Sequence, residues 1–182
     1  TFTMGSPTGE FGRYPDEVQH QVAISQSFYI GVFEVTQQQW ERVIGDWPSY
    51  FTNASYRNSR PVEKVSYEAI RGAALGAGWP ASSSVDADAF MGRLRARTGK
   101  AFDLPTESQW EYAGRAGTTT ALNSGYNLTN TDSDVRMSEV GRYSYNGGSN
   151  DVQNCDTSGG TAKVGSYVAN AWGLCDIHGK VW

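Results

Sequence analysis

The sequence predicts an α+β domain, sparse in regular structure and closed around large aromatic side chains. Three observations lead to it. Strand-like and capped helical stretches both occur, but not in the regular alternation of a doubly wound sheet. The 182 residues include ten Tyr, seven Phe and six Trp, so rings rather than aliphatic helices supply the core. Between 118 and 161, periodicity gives way to "NSGYNLTNTDSD" and "YNGGSNDVQNCDTSGGT". Loops of that length are functional or pinned by tertiary contacts. No repeat and no linker-like boundary divides the chain, so residues 1–182 are read as one domain.

Each element has a local reason. "EVQHQVAIS" (17–25) alternates, with Val18, His20, Val22 and Ile24 on one face, which predicts a strand. "SFYIGVFEVT" (27–36), rich in aromatic and β-branched residues, predicts a second. Thr36 and Gln39 form a T-x-x-Q capping box; Trp40, Val43 and Ile44 share a face, and Gly45 closes the helix. Ser66 opens a second helix through about Leu75, and Asp86 to Thr98 makes a third, stopped by Gly99. Thr106 and Gln109 repeat the capping box and start a fourth helix that ends at Gly117. "AKVGSYV" (162–168) predicts a short strand.

Composition removes several functions. The formal charge is −4 and the pI about 5.1, with no basic face for a phosphate backbone, so nucleic acid is not an expected partner. The one basic run, "RLRARTGK" (93–100), reads as a solvated helix flank. No stretch reaches the ~18 apolar residues of a membrane span. Residue 1 is Thr, so the natural start is expected upstream or processed, and an exported or periplasmic location stays open. Cys155 and Cys175 have no zinc spacing; they read as two isolated thiols, or as a pair if the protein is exported.

The familiar catalytic patterns are absent: no G-x-S-x-G, phosphate loop, dinucleotide fingerprint or H-E-x-x-H. His20, on an apolar strand face, reads as a hydrogen-bonded core histidine. His178, in a Gly-flanked turn, stabilises the turn or serves a site. Asp132 and Asp134 make a D-x-D that could offer oxygen ligands to calcium, without the remaining offsets of an EF-hand loop. Glu107 and Glu111 suit a helix N-terminus. Glu34 shares a strand face with Phe28, Ile30 and Val32; buried there, it needs partners, as an anchor or in a site.

Five ordered stretches carry a resemblance. They are "FTMGS" (2–6), "FYIGVFEVTQQQW" (28–40), "RPVEKVSYEAI" (60–70), "FDLPTESQWEYAGRAG" (102–117) and "NAWGLCDIHGKVW" (170–182). The fourth matches L-P-T-E-x-x-W-E-Y-A-x-R-x-G, and the fifth resembles N-A-x-G-L-x-D-M-x-G-N-V-W-E-W. Together they resemble the formylglycine-generating enzyme family, or sulfatase-modifying factors. The resemblance implies a variant of the C-type lectin fold with long pinned loops, and it places Trp110 in the core. It implies oxidation of a sulfatase cysteine to formylglycine by oxygen and a copper ion held by two cysteines, with structural calcium. The implied partner is a sulfatase or another protein or peptide.

The family pattern continues beyond Trp182 with Glu-Trp and a segment containing R-G-G-S, where the catalytic cysteines lie. The chain is therefore expected to stop before its catalytic segment, incomplete at the C-terminus. Cys155 has no catalytic counterpart, and Cys175 stands where the motif has Tyr. Lys180 replaces the motif's Asn, and an ammonium repels a cation, which argues against the implied calcium site. No residue is assigned as catalytic, cofactor-binding or metal-ligating. Three readings follow: an oxidase of the sulfatase-modifying type, a non-enzymatic ligand- or partner-binding module of the same fold, as in retroelement-diversified variable proteins, and a nonfunctional remnant.

Overall fold

The capping boxes form as the sequence predicts. In the computed structural model, which describes residues 1–51, 53–130, 132–146 and 160–179, the Thr36 hydroxyl accepts from the Gln39 amide and the Gln39 side chain accepts from the Thr36 amide. These bonds satisfy backbone N–H groups that α1, Gln37–Ile44, cannot pair internally. Gly45 ends it at φ 97°. Helix α2, Tyr67–Arg71, starts at the Ser66 cap and is shorter than predicted, because Gly72 leaves the helix at φ 97° and a 3-10 turn, Gly76–Gly78, follows.

Helix α3 runs Phe90–Thr98 rather than from Asp86. The Asp86 carboxylate accepts from the amides of Ala74 and Leu75 and braces the turn after α2, which removes it from α3. Helix α4, Glu107–Arg115, has its predicted capping box and ends with Ala116 in the left-handed region. Helix α5, Val135–Val140, lies inside the stretch predicted as loop.

Four short strands occur among the described residues: β1 (Phe2–Met4), β2 (His20–Val22), β3 (Gly141–Arg142) and β4 (His178–Gly179). β1 and β2 are antiparallel with Thr3 opposite Gln21, and β3 and β4 are parallel. Two predicted strands do not form. In 27–36, Val32 accepts a bond from Cys175 and Val35 one from Val62, two contacts with different segments and no ladder. Tyr29 there is fully exposed. In 162–168, Gly165 turns the chain at φ 73° and breaks the alternation.

The core lies where α1 and α3 meet. Trp40 and Phe90 stack with centroids 4.8 Å apart, beside Val43 and Met91, with Ile70, Leu94 and Leu104 around them. Arg71 is wholly buried and meets Asp103 at 2.7 Å, an ion pair shared by Arg95 at 2.7 Å. Hydrogen bonding to Asp103 raises the Arg71 pKa further. The basic run is solvated at Arg97 and Lys100 and half-buried at Arg93 and Arg95, and its arginines also make bonds. Arg93 donates to the Ile44 carbonyl and Arg97 to that of Arg42, so α3 supplies cations to the carbonyl end of α1.

Candidate functional site

Trp110, Glu111, Gly114 and Arg115 fall at i, i+1, i+4 and i+5 of α4 and share one face of it. That face borders a cleft of about 280 Å³. The opposite walls come from the N-terminal segment, with Ser6, Glu10, Arg13 and Glu17, and from the 118–128 loop and Ile177–His178. Gly114 sets the wall spacing, since a Cβ there would lie 3.0 Å from Ile177 Cγ2. Gly141 does the same for β4: a Cβ would lie 2.0 Å from the His178 carbonyl oxygen.

The N-terminal segment is fastened to α4 by charge. Glu111 accepts from the Gly5 amide at 2.8 Å and pairs with Arg115 at 2.7 Å. Arg115 also donates to the carbonyls of Gly5 and Thr120. Arg13 donates to the carbonyls of Ser6 and Glu17, and the Ser6 hydroxyl donates to Glu17 at 2.7 Å. Both guanidinium groups of the cleft are thus directed at protein acceptors.

Other polar groups are not engaged. Asn123 is 7% exposed and is among the residues lining the cleft; its side-chain nitrogen and oxygen are both shielded from solvent and have no hydrogen-bond partner. Glu10 Oε2 is likewise shielded and unpartnered. The loop that carries Asn123 is closed by bonds from the Leu122 amide to the Tyr126 carbonyl and from the Ala121 amide to Asn127. The Asn123 backbone amide donates to His178 Nε2 at 3.1 Å. Burial first, and the Arg115 charge second, push the His178 imidazole down to about 4. The ring is neutral at pH 7, with Nε2 as acceptor and the proton on Nδ1.

The structure corrects several expectations. Trp110 is not a core residue: it is 47% exposed and walls the cleft, one turn before the buried Ala113 and Gly114 at the N-terminal end of α4. His20 is exposed and donates from Nδ1 to the Val18 carbonyl; the buried residue of this strand pair is its partner Met4. Asp132 and Asp134 do not converge. Asp132 is exposed, while Asp134 caps α5 and also accepts from the amide and hydroxyl of Thr129, bonds that lower its pKa strongly. Glu107 sits exposed in the first turn of α4. Glu34 is half-buried with both carboxylate oxygens shielded.

His178 comes to the cleft, as one of its two sequence readings allows, and also stabilises the loop opposite. Glu10, Arg13 and Asn123 carried no sequence signal, since chain segments far apart assemble the cleft. Cys175 is half-buried outside it. Cys155, Lys180 and Trp182 lie outside the described residues. Among the described residues, no group of three His, Cys, Asp or Glu side chains is placed to hold a metal ion, and no helix is long and apolar enough to cross a membrane.

Known proteins resemble this chain over parts of its length that range from less than half to nearly all. The sulfatase-modifying factor enzyme 1-like domain model matches residues 1–182. A protein of Paenibacillus barcinonensis named chaperone protein LppX is 30% identical over 172 residues, 85% of this chain and 60% of that protein. The formylglycine-generating enzyme of Mycobacterium tuberculosis is 37% identical over 81 residues, 43% of this chain and 25% of that enzyme. The solved structure of PvdO from Pseudomonas aeruginosa superposes with a TM-score of 0.64 at 23% identity, over 97% of this chain and 63% of that one. The chain thus spans less than two thirds of the length of each, and the PvdO likeness establishes the fold.

Proposed function

Starting from the chain's membership of the sulfatase-modifying factor enzyme 1-like family, we propose that it works as a ligand-binding module, with the cleft beside α4 as its binding site. One observation carries this reading: a buried asparagine in the wall of the cleft has both side-chain groups unpartnered. A buried amide that loses water without gaining partners costs about 1–3 kcal/mol. Such a cost is commonly retained where a ligand supplies the missing bonds. The likeness to a protein named as a chaperone, over 85% of this chain, supports a role in binding rather than in catalysis.

The oxidase reading is favoured by the likeness to the Mycobacterium tuberculosis formylglycine-generating enzyme. The described residues do not fit the copper ion of that chemistry. Their cysteine is Cys175, half-buried, with its amide bonded to the Val32 carbonyl, and no further metal-ligating side chains gather there. No catalytic step is therefore derived through copper.

The test is a chemically mixed ligand screen on the full chain, read by thermal midpoint and repeated on Asn123→Ala. Ligands whose shift vanishes in the variant support the cleft. Ligands indifferent to the substitution, or conversion of a sulfatase-type cysteine peptide to formylglycine by the copper-treated chain, would overturn the reading.

A further inference from the structure

We infer that His178 is an acid-sensitive latch on the loop that carries Asn123: neutral, it holds residues 119–128 in place as a wall of the cleft, and on protonation it releases them and bares the Asn123 side chain. The inference adds regulation to the site proposed above. It rests on that reading only for what the release admits; the release itself is tested without a ligand.

The loop is closed largely on itself. The Leu122 amide donates to the Tyr126 carbonyl, the Gly125 amide to that of Leu122, and the Ala121 amide to the Asn127 side chain. Among the described residues, two hydrogen bonds join 119–128 to other segments. Arg115 reaches the Thr120 carbonyl at 3.4 Å, close to where the loop leaves α4, and the Asn123 amide donates to His178 Nε2 at 3.1 Å. Beyond Asn123, the Arg136 guanidinium lies 4.0 Å from the Tyr126 ring centre. Leu122 is 2% exposed and anchors the first half of the loop, which confines the release to the residues after it.

The bond to His178 survives in one protonation state only. A backbone amide donates, so Nε2 must accept, and it can do so only in the neutral ring with its proton on Nδ1. A proton added at Nε2 sets two donors against each other and leaves the Asn123 amide without an acceptor. The Arg115 charge, which already disfavours a charged ring, then opposes the imidazolium. The strand cannot yield: β4 is paired with β3, and Gly141 packs so closely on the His178 carbonyl that no Cβ fits between them. The loop is the part free to move.

His178 is the titrating group that holds the loop directly. Residues 118–128 contain no Asp, Glu, Lys, Arg or His. From α4 the ring meets Arg115 and its partner Glu111, and the N-terminal wall of the cleft carries Glu10, Arg13 and Glu17. Arg142 of β3 lies beside Gly179 in the ladder, Asp176 in the same segment accepts from the Gly165 amide, and α5 approaches Gly179 with the uncharged Met137. Of these, Arg115 alone bonds the loop, and a guanidinium keeps its charge throughout the acid range. Glu111 acts on the loop only through Arg115.

The experiment is an NMR titration of the isotope-labelled full chain, from about pH 7.5 to about 3.5, with a neutral gadolinium chelate as the probe of accessibility. One acid step is expected as the ring titrates toward about 4. Across it, exchange protection of the Asn123 backbone amide should fall tenfold or more, and the chelate should begin to broaden the Asn123 side-chain amide signals. The Trp40 and Val43 amides of α1 should keep their protection. His178→Gln and His178→Ala should both remove the step, because neither side chain takes up a proton. A step that survives in both variants overturns the latch and moves the control to another group, Glu111 first. Loss of protection in α1 together with Asn123 overturns it as acid unfolding. Imidazole signals that titrate while the Asn123 amide stays protected overturn it in the parent chain alone, without any variant. None of these outcomes decides whether the cleft binds a ligand, which the mixed screen tests separately.

Discussion

Asn170 and Asn123 are buried alike, at 6% and 7% exposure, and they differ in every bond. Asn170 donates from Nδ2 to the carbonyls of Ala113 and Gly114 and accepts on Oδ1 from the amides of Trp172 and Leu174. It satisfies the carbonyl end of α4 and closes the turn that follows it in the chain. Asn123 lies across α4's other surroundings, at the cleft, and its side chain satisfies nothing. The contrast is between residues and not between halves of the fold: near the α1 core the buried Arg71 is paired, while Arg60, equally buried, has guanidinium nitrogens without hydrogen-bond partners among the described residues. Burial alone therefore does not make a polar residue structural. Its bonds decide, and they can be tested one residue at a time.

The largest effect should separate two tryptophans. Trp40 is 4% exposed, stacks on Phe90 and donates from its indole to Asp46 at 2.8 Å. Trp40→Ala should cost about 3–5 kcal/mol, the range for emptying an aromatic site. Trp110→Ala should cost about 1 kcal/mol or less, as at a wall facing solvent. Denaturant midpoints measure both, and equal losses would erase the distinction between core and cleft.

His178 should make cleft-side stability depend on pH. Its native pKa is held down at about 4, whereas an unperturbed histidine titrates near ~6.5. Between these values the unfolded chain binds a proton that the folded chain refuses. The contribution is therefore complete above about 6.5 and is lost as pH falls toward 4. The span sets an upper bound of about 3 kcal/mol at ~1.4 kcal/mol per unit. His20, the other histidine of the sequence, is exposed. His178→Gln should flatten unfolding free energy across this window; an unchanged slope would assign the dependence to other groups.

Asn170→Ala comes next, with an expected loss of about 2 kcal/mol. The substitution leaves two carbonyls of α4 and two amides of the following turn without their partner. Amide exchange at Trp172 and Leu174 should accelerate, while exchange in α1 stays slow. Uniform acceleration would place Asn170 in the same cooperative unit as the α1 core.

The helices were legible in the sequence because their information is local. Thr36 with Gln39 and Thr106 with Gln109 each carry a complete capping box within four positions, and both formed. Helix α5 was missed although Asp134 caps it, because its few apolar residues sit in a loop-like composition. The segment 27–36 misled for the opposite reason: its residues favour a strand, but a strand requires a pairing neighbour, and only scattered bonds reach it. The family motif identified α4 but not the outward direction of Trp110. Of the cleft, His178 alone carried a sequence reading that allowed for a site. Glu10, Trp110, Asn123 and His178 meet only after the chain folds, and Asn123 differs from Asn170 in partners rather than in sequence pattern.

The smallest expected change is the most diagnostic. Asn123→Ala removes one unpartnered donor and one unpartnered acceptor and leaves the backbone amide free to keep its bond to His178. The substitution takes away the unfavourable burial of the amide and forfeits some packing against the loop. These two effects oppose each other, so stability should stay within about 0.5 kcal/mol of the parent or rise slightly. Asn170→Ala, at the same burial, should lose several times more. If Asn123→Ala instead loses more than about 1 kcal/mol without any ligand present, Asn123 has a structural partner in solution and belongs with Asn170. If it is neutral in stability but abolishes ligand-induced stabilisation, the amide is held open for binding, as its missing bonds indicate.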